Sequence, residues 1–314
     1  MLNRRHLRIK VLHILYAFYQ EDERDMVKAE KQLFFSIDKM YEMYIYLIAL
    51  IVEMQDAAIE KIETGRNKKL PSQEDLHPNT KFVTNRPLRV LANSKILRKE
   101  MEQMKLSWVD NPDLIKHIFR MLIETEDYKE YMESDERGFD HDREYLLRFF
   151  KRHIINNELL HDYFEEKSIF WNDDLDLTSS MVLKTVKMIE DGDADLTLLP
   201  LWKEDDDEKN FVTELFRKTL TQAEENEKMI ESFTKNWDID RIAVIDTILM
   251  KMALAEARIF ESIPLKVTLN EYIELSKYYS TPKSNGFING VLDQMFSKMN
   301  EDGMIKKIGR GLLE

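Results

Sequence analysis

The sequence predicts an all-α protein. Three observations carry the prediction: only 8 glycines and 7 prolines in 314 residues, an abundance of Leu, Ile, Met, Glu and Lys, and no sustained alternation of apolar and polar residues. A first helix is expected over about 3–20, where Leu7, Val11, Ile14, Leu15 and Phe18 share one face at 100° per residue. A long second helix over about 25–63 ends at Gly65. The stretch 67–87 contains three prolines and reads as a loop. Helical patterns resume over about 93–108, and Asn111-Pro112 restarts another near 113–126. Further helices are expected over about 140–167 and 174–190, the latter capped by Asp173 or Asp174. The acidic stretch 190–209, with Gly192 and Pro200, reads as a connector. Four helices complete the chain, over about 205–235, 238–261, 266–279 and 283–300. No repeat of fixed period and no low-complexity tract interrupts this order.

Composition narrows the function. The chain has no cysteine, which excludes disulfides, cysteine metal sites and cysteine nucleophiles. Arg4, Arg5, Arg8 and Lys10 break any apolar segment at the start, so no signal-peptide pattern is present. The longest apolar stretch, YIYLIALIV at 44–52, is too short to span a bilayer. These features fit a cytoplasmic protein without membrane association. The net charge of −13 argues against nucleic-acid binding by the whole surface but leaves room for a local basic patch. The first helix offers one. Its first twenty residues hold four Lys or Arg and no acid. Arg4 and Arg8 lie one turn apart, where like charges repel, and positive charge at a helix N-terminus opposes the dipole. A solvated basic end is one reading; a set of arginine forks for phosphate oxygens is the other.

A second unusual stretch is SNGFINGVLDQM, 284–295. On a helical wheel Phe287, Ile288, Val291, Leu292, Met295, Phe296 and Met299 form the core face. Gly286 and Gly290 fall opposite, flanked by Asn289 and Asp293. A glycine facing water in a helix costs about 1 kcal/mol relative to alanine, so Gly290 marks close approach by something outside the helix: another segment of the chain, a partner or a nucleic-acid backbone. No catalytic constellation competes well with an interaction surface. Glu158 and His161 form a Glu-x-x-His string on a predicted helix, as di-metal carboxylate bundles use. The similar string at 74–77 lies in a loop, and with 59 acidic residues such strings arise by chance. His6 and His13 are two turns apart with no carboxylate between them, so zinc is not indicated. No phosphate-loop, dinucleotide or nucleophile-elbow string occurs.

Residues 240–293, from DRIAVIDTILMKMALAEARIF through SIPLKVTLNEYIELSK to GFINGVLD, resemble the C-terminal half of the NusB family of transcription antitermination factors without gaps. The matched positions include Arg241, Asp246, Ile248, Leu249, Lys251 and Glu256. The opening helix resembles the family's arginine-rich first helix over a shorter span. The sequence departs from the family pattern at Lys251 (arginine in the family), Ala257 (leucine) and Gly286 (lysine), and it is far longer. The resemblance implies two small helical bundles, at 1–64 and 204–302, a helical insertion of unassigned role at 65–203 and a flexible tail at 303–314. It implies a non-enzymatic factor without a cofactor. The expected partners are boxA-type RNA, the small-subunit ribosomal protein NusE and the RNA polymerase antitermination complex, with a homodimer as a further possibility. By resemblance the RNA-binding residues are Arg4, Arg5, Arg8, Lys283, Asn285, Phe287, Asn289 and Gly290. The partner-binding residues are Lys251, Glu256 and Asp293. Two other readings remain: a helical scaffold that binds no RNA, and RNA-associated work of the kind done by NusB-like domains attached to methyltransferases. No glycine-rich cofactor segment supports methyl transfer here.

Overall fold

A computed structural model of the protein describes residues 3–202, 205–234 and 242–312. Among them there are helices, turns and no strand. Arg241, a matched position of the resemblance, lies outside the described residues. In chain order the helices are α1 (Arg4–Gln20), α2 (Met26–Arg66), α3 (Gln73–Leu76), α4 (Arg86–Asn93), α5 (Lys95–Met104), α6 (Pro112–Glu124), α7 (Glu126–Glu133), α8 (Phe139–Phe149), α9 (Glu158–Lys167), α10 (Leu175–Met188), α11 (Asp205–Thr221), α12 (Ala223–Phe233), α13 (Val244–Ile259), α14 (Leu265–Tyr279) and α15 (Ser284–Glu301). The chain divides into two units, one made of 1–37 and 202–314 and the other of 38–201. The second unit thus begins inside α2, at Asp38, rather than at residue 65.

The first unit is built around α13. Met250, Met252, Ala253, Leu254 and Ala255 are fully buried, so the helix is enclosed on all sides along 248–257, as a largely apolar segment must be. Helices α1, α11, α12, α14 and α15 pack around it. Helix α1 contributes Leu7, Val11 and Leu15, and α15 contributes Ile288, Leu292, Met295 and Met299. The Asn3 side chain starts α1 by accepting the His6 N–H at 3.0 Å. Helix α15 ends at a left-handed Gly303, after which the Met304 N–H returns to the Met299 carbonyl at 2.8 Å. Within the expected flexible tail at 303–314, residues 305, 307 and 308 are anchored. Ile305 is buried, Lys307 donates to the Phe260 carbonyl at 3.0 Å, and the Ile308 N–H donates to the Glu261 carbonyl at 3.0 Å.

The second unit holds an aromatic core. Tyr46 stacks on Trp108 at 3.9 Å between ring centroids, and Trp108 donates its indole N–H to the Tyr46 carbonyl at 3.1 Å. Trp171 and Phe164 close around the same tyrosine. The helix expected over 140–167 is divided here by local chemistry, and α4 is an additional element between the expected loop and the helix expected from 93. Ser94 ends α4 and caps α5 by accepting the Leu97 N–H at 3.0 Å. A single π-helical turn at 150–154 follows α8, and Asn157 then caps α9. The cap position of α10 is Asp174, although its side chain makes no capping hydrogen bond. Glu158 sits exposed in the first turn of α9, and the His161 ring lies 2.6 Å from the Ile155 carbonyl oxygen. The Glu-x-x-His string is therefore a surface feature. This unit carries 33 acidic and 23 basic residues, against 26 and 23 in the first. Most of the chain's excess negative charge therefore lies in 38–201.

Candidate functional site

Two surfaces of the first unit hold the residues singled out from the sequence. At the start of α1, each arginine has a carboxylate partner. Arg4 reaches Asp207 on α11 at 3.0 Å. Arg5 donates from Nε and Nη2 to the two oxygens of Glu271 on α14, at 3.0 and 2.7 Å. Arg8 turns inward and donates from Nε and Nη2 to the two oxygens of Glu256, both at 2.7 Å. The Arg8 side chain is 3% exposed and that of Glu256 is 0%. Thr268 and Tyr272 each donate a hydroxyl to Glu256 at 3.0 Å, so this carboxylate accepts four hydrogen bonds. That saturation is what makes its burial tolerable. Burial works against the Arg8 charge, yet Glu256 more than compensates, and the guanidinium holds its proton more tightly than usual. Burial pushes the Tyr272 hydroxyl well above its ordinary value, with Glu256 acting in the same direction.

These contacts correct two expectations. Arg8 offers no fork to RNA, because its donors are spent on Glu256 inside the core. Glu256 is no surface residue for a partner; it is the buried acceptor that ties α1 to α13. Lys251 is likewise withdrawn. Its side chain is 6% exposed and pairs with Glu227 on α12 at 3.2 Å, with its ammonium 5.3 Å from the Tyr19 ring centre. What stays on the surface is Arg4 and Arg5, beside a cleft of about 520 Å³ lined also by Asn3, Ile263, Pro264, Val267 and Glu271. Half-burial would raise the Glu271 pKa, but the Arg5 hydrogen bond and the charges of Arg5 and Arg8 hold it below the usual glutamate value.

The second surface is the N-terminal half of α15. Asn289, Gly290 and Asp293 are exposed, Asn285 and Phe287 half-buried, and Lys283 is exposed without an ion pair among the described residues. A Cβ added at Gly286 or Gly290 would meet no heavy atom within 4 Å outside its own stretch of helix. Among the described residues, then, no other segment of the chain comes close to either glycine, and the space beside them is open. The turn that aims this surface is fixed from below. Asp246, buried in the first turn of α13, accepts hydrogen bonds from Ser280 and, at 2.7 Å, from Ser284. Thr281 and Ser284 hydroxyls meet at 2.8 Å. These bonds set where α15 begins, in place of a side-chain cap, which it lacks.

Sequence reasoning named Asp246 only as a matched position and missed its role as an anchor. It missed Asp207 and Glu271 altogether. One signal was available: Asp246 and Glu256 are the only acids in α13, which is mostly apolar apart from Thr247, Lys251 and Arg258, and an acid buried there needs a donor set. Among the described residues no cluster of His, Asp and Glu could hold a metal ion. No helix among them is long and apolar enough to cross a membrane.

The NusB family model matches residues 181–297, beginning within α10. The transcription antitermination protein NusB of Salinibacter ruber is 43% identical over 138 residues, covering 42% of this chain and 86% of that protein. The protein of the same name from Chloroherpeton thalassium is 36% identical over 106 residues, covering 34% of this chain and 50% of its own length. That of Natranaerobius thermophilus is 35% identical over 91 residues, covering 29% and 66%. No solved structure matches the chain significantly. The resemblance read from residues 240–293, the helical architecture and a relative matched over most of its length agree, and the chain belongs to the NusB family.

Proposed function

We propose that this protein is a non-enzymatic transcription antitermination factor that binds boxA-type RNA together with the small-subunit ribosomal protein NusE. The observation that carries the reading is the open face of α15. Two glycines one turn apart sit in the exposed part of a helix with no other segment packed on them among the described residues, each directly after an asparagine that can hydrogen-bond a base edge or a sugar. A helix keeps such glycines at a stability cost when a backbone must come near. Lys283, without an ion pair among the described residues, supplies a positive charge beside them, and Arg4 and Arg5 add positive charge elsewhere on the same unit. Asp293, exposed on the same helix, is retained as a partner contact, in the place of Lys251 and Glu256. Membership of the antitermination complex on RNA polymerase, a cytoplasmic location and self-association belong to the same reading.

Residues 65–180, before the family match begins at 181, are proposed as a lineage-specific helical insertion into this fold. Their excess of acids repels RNA, so binding by the protein alone is weak and gains specificity with the ribosomal protein. A scaffold that binds no RNA is the competing reading, and the same assay decides between them. Fluorescence anisotropy compares boxA-type and scrambled RNA, with and without the ribosomal protein. Preference of the complex for boxA-type RNA supports antitermination; equal binding of the two RNAs ends it.

A further inference from the structure

We infer that Asp207 is an internal competitor for phosphate at Arg4, a carboxylate that a polyanion must displace before it can use this arginine. The inference rests on the reading of α1 as an RNA-binding end, and adds the residue that regulates it. Arg4 and Arg5 are both paired, but differently. Arg5 meets Glu271 in a two-point contact with the carboxylate only 18% exposed, and Arg8 reaches the same carboxylate from the core side at 3.4 Å. Glu271 therefore stays in place and holds Arg5 in one orientation. Asp207 makes a single contact to Arg4 and is 67% exposed. Such an exposed pair is weak and exchanges readily with solvent ions.

The Arg4 guanidinium also lies 5.2 Å from the Phe211 ring centre. The aromatic face keeps the fork in position when the carboxylate leaves. Asp207 itself lies in the acidic run EDDDE at 204–208, at the start of α11. The arrangement makes Arg4 an exchangeable phosphate contact, whereas Arg5 keeps Nε and Nη2 on Glu271. It also sets a threshold: a ligand with a single phosphate gains little by displacing Asp207, whereas a polyanion held at other points gains an additional contact.

The test uses the full chain with two probes, a boxA-type RNA oligonucleotide and a heparin fragment, each titrated over a salt series by fluorescence. Asp207→Asn removes the competitor. It should tighten binding of both probes by roughly 1.5- to 5-fold, the range set by an exposed ion pair. The log–log salt slope for RNA should steepen by about 0.7, one extra phosphate contact on a single strand. In an Arg4→Ala background the same substitution should have no effect. Asp302→Asn removes an equal charge from another exposed pair, with Lys298 at 2.9 Å, and should change binding less.

Equal gains from Asp207→Asn and Asp302→Asn would overturn the inference in favour of a general charge effect. So would a gain that survives Arg4→Ala, or no gain with either probe. Loss of preference for boxA-type over scrambled RNA would instead strike the RNA reading. The heparin arm would then still decide the fate of Asp207.

Discussion

Replacing Arg8 with alanine separates a structural arginine from a binding one. The substitution leaves Glu256 fully buried, with Thr268 and Tyr272 as its remaining donors at 3.0 Å each. Breaking one partner of a buried pair costs about 3–5 kcal/mol, because the other charge stays uncompensated. The unit that contains it has about 150 residues, for which each kcal/mol shifts the melting temperature by roughly 2–4 °C. Arg8→Ala should therefore lower the melting temperature by about 6–20 °C in circular dichroism melts. Arg4→Ala removes only an exposed contact and should stay within about 0.5 kcal/mol of the wild type. Removing both buried charges with Arg8→Met and Glu256→Leu should recover part of the loss. Recovery is incomplete because the hydroxyls of Thr268 and Tyr272 lose their acceptor, at about 1–3 kcal/mol for each group left unsatisfied. In RNA titrations well below the melting range the order reverses. Arg4→Ala in the Asp207→Asn background should flatten the salt slope by about 0.7, and Arg8→Ala should leave the wild-type slope unchanged. An Arg8→Ala protein that melts like the wild type but binds RNA with a flatter slope would refute the assignment of Arg8 to the core.

The other expectations concern a helix, a titration and the second unit. Gly290→Ala adds a methyl group to open space and removes a helix-interior glycine, so it should stabilise by about 0.8–1 kcal/mol in chemical denaturation. Glu271 has its pKa lowered from the ordinary 4.5. Its stabilising contribution is therefore present above that value and lost as pH falls through the depressed value in the folded state. Glu271→Gln should flatten the acid arm of a stability–pH curve, and an unchanged arm would count against the Arg5 contact. Trp108→Ala removes a stacked, hydrogen-bonded core ring and should cost about 3–5 kcal/mol in urea unfolding.

Periodicity made most of the helices legible. The core faces of α1 and α15 follow from 100° spacing, and the outward placement of Gly286 and Gly290 follows from the same wheel. Breaks set by capping were less visible: Asn157 caps α9 inside the stretch 140–167 that apolar spacing presents as one helix, and the short α4, ended by Ser94, falls between the expected loop and the helix expected from 93. The charged pairs were least legible. Arg8 and Glu256 are 248 positions apart, and no local pattern reveals that an arginine on the edge of an apolar face has an acid waiting inside the core. The same holds for Asp207 and Glu271, which read as ordinary solvated charges until the fold brings α11 and α14 beside α1. Gly290 was read from its own helix, because its lack of a neighbour needs no distant partner to explain.

The central claim is that the open face of α15 receives an RNA backbone or base. Gly290→Gln fills that space with a side chain that also favours the helix, so folding should be kept. Anisotropy of this variant with boxA-type RNA, in the presence of the ribosomal protein, is the direct measurement. The account predicts a melting temperature at or above that of the wild type, together with loss of the preference for boxA-type over scrambled RNA. Wild-type affinity and discrimination in Gly290→Gln would contradict it.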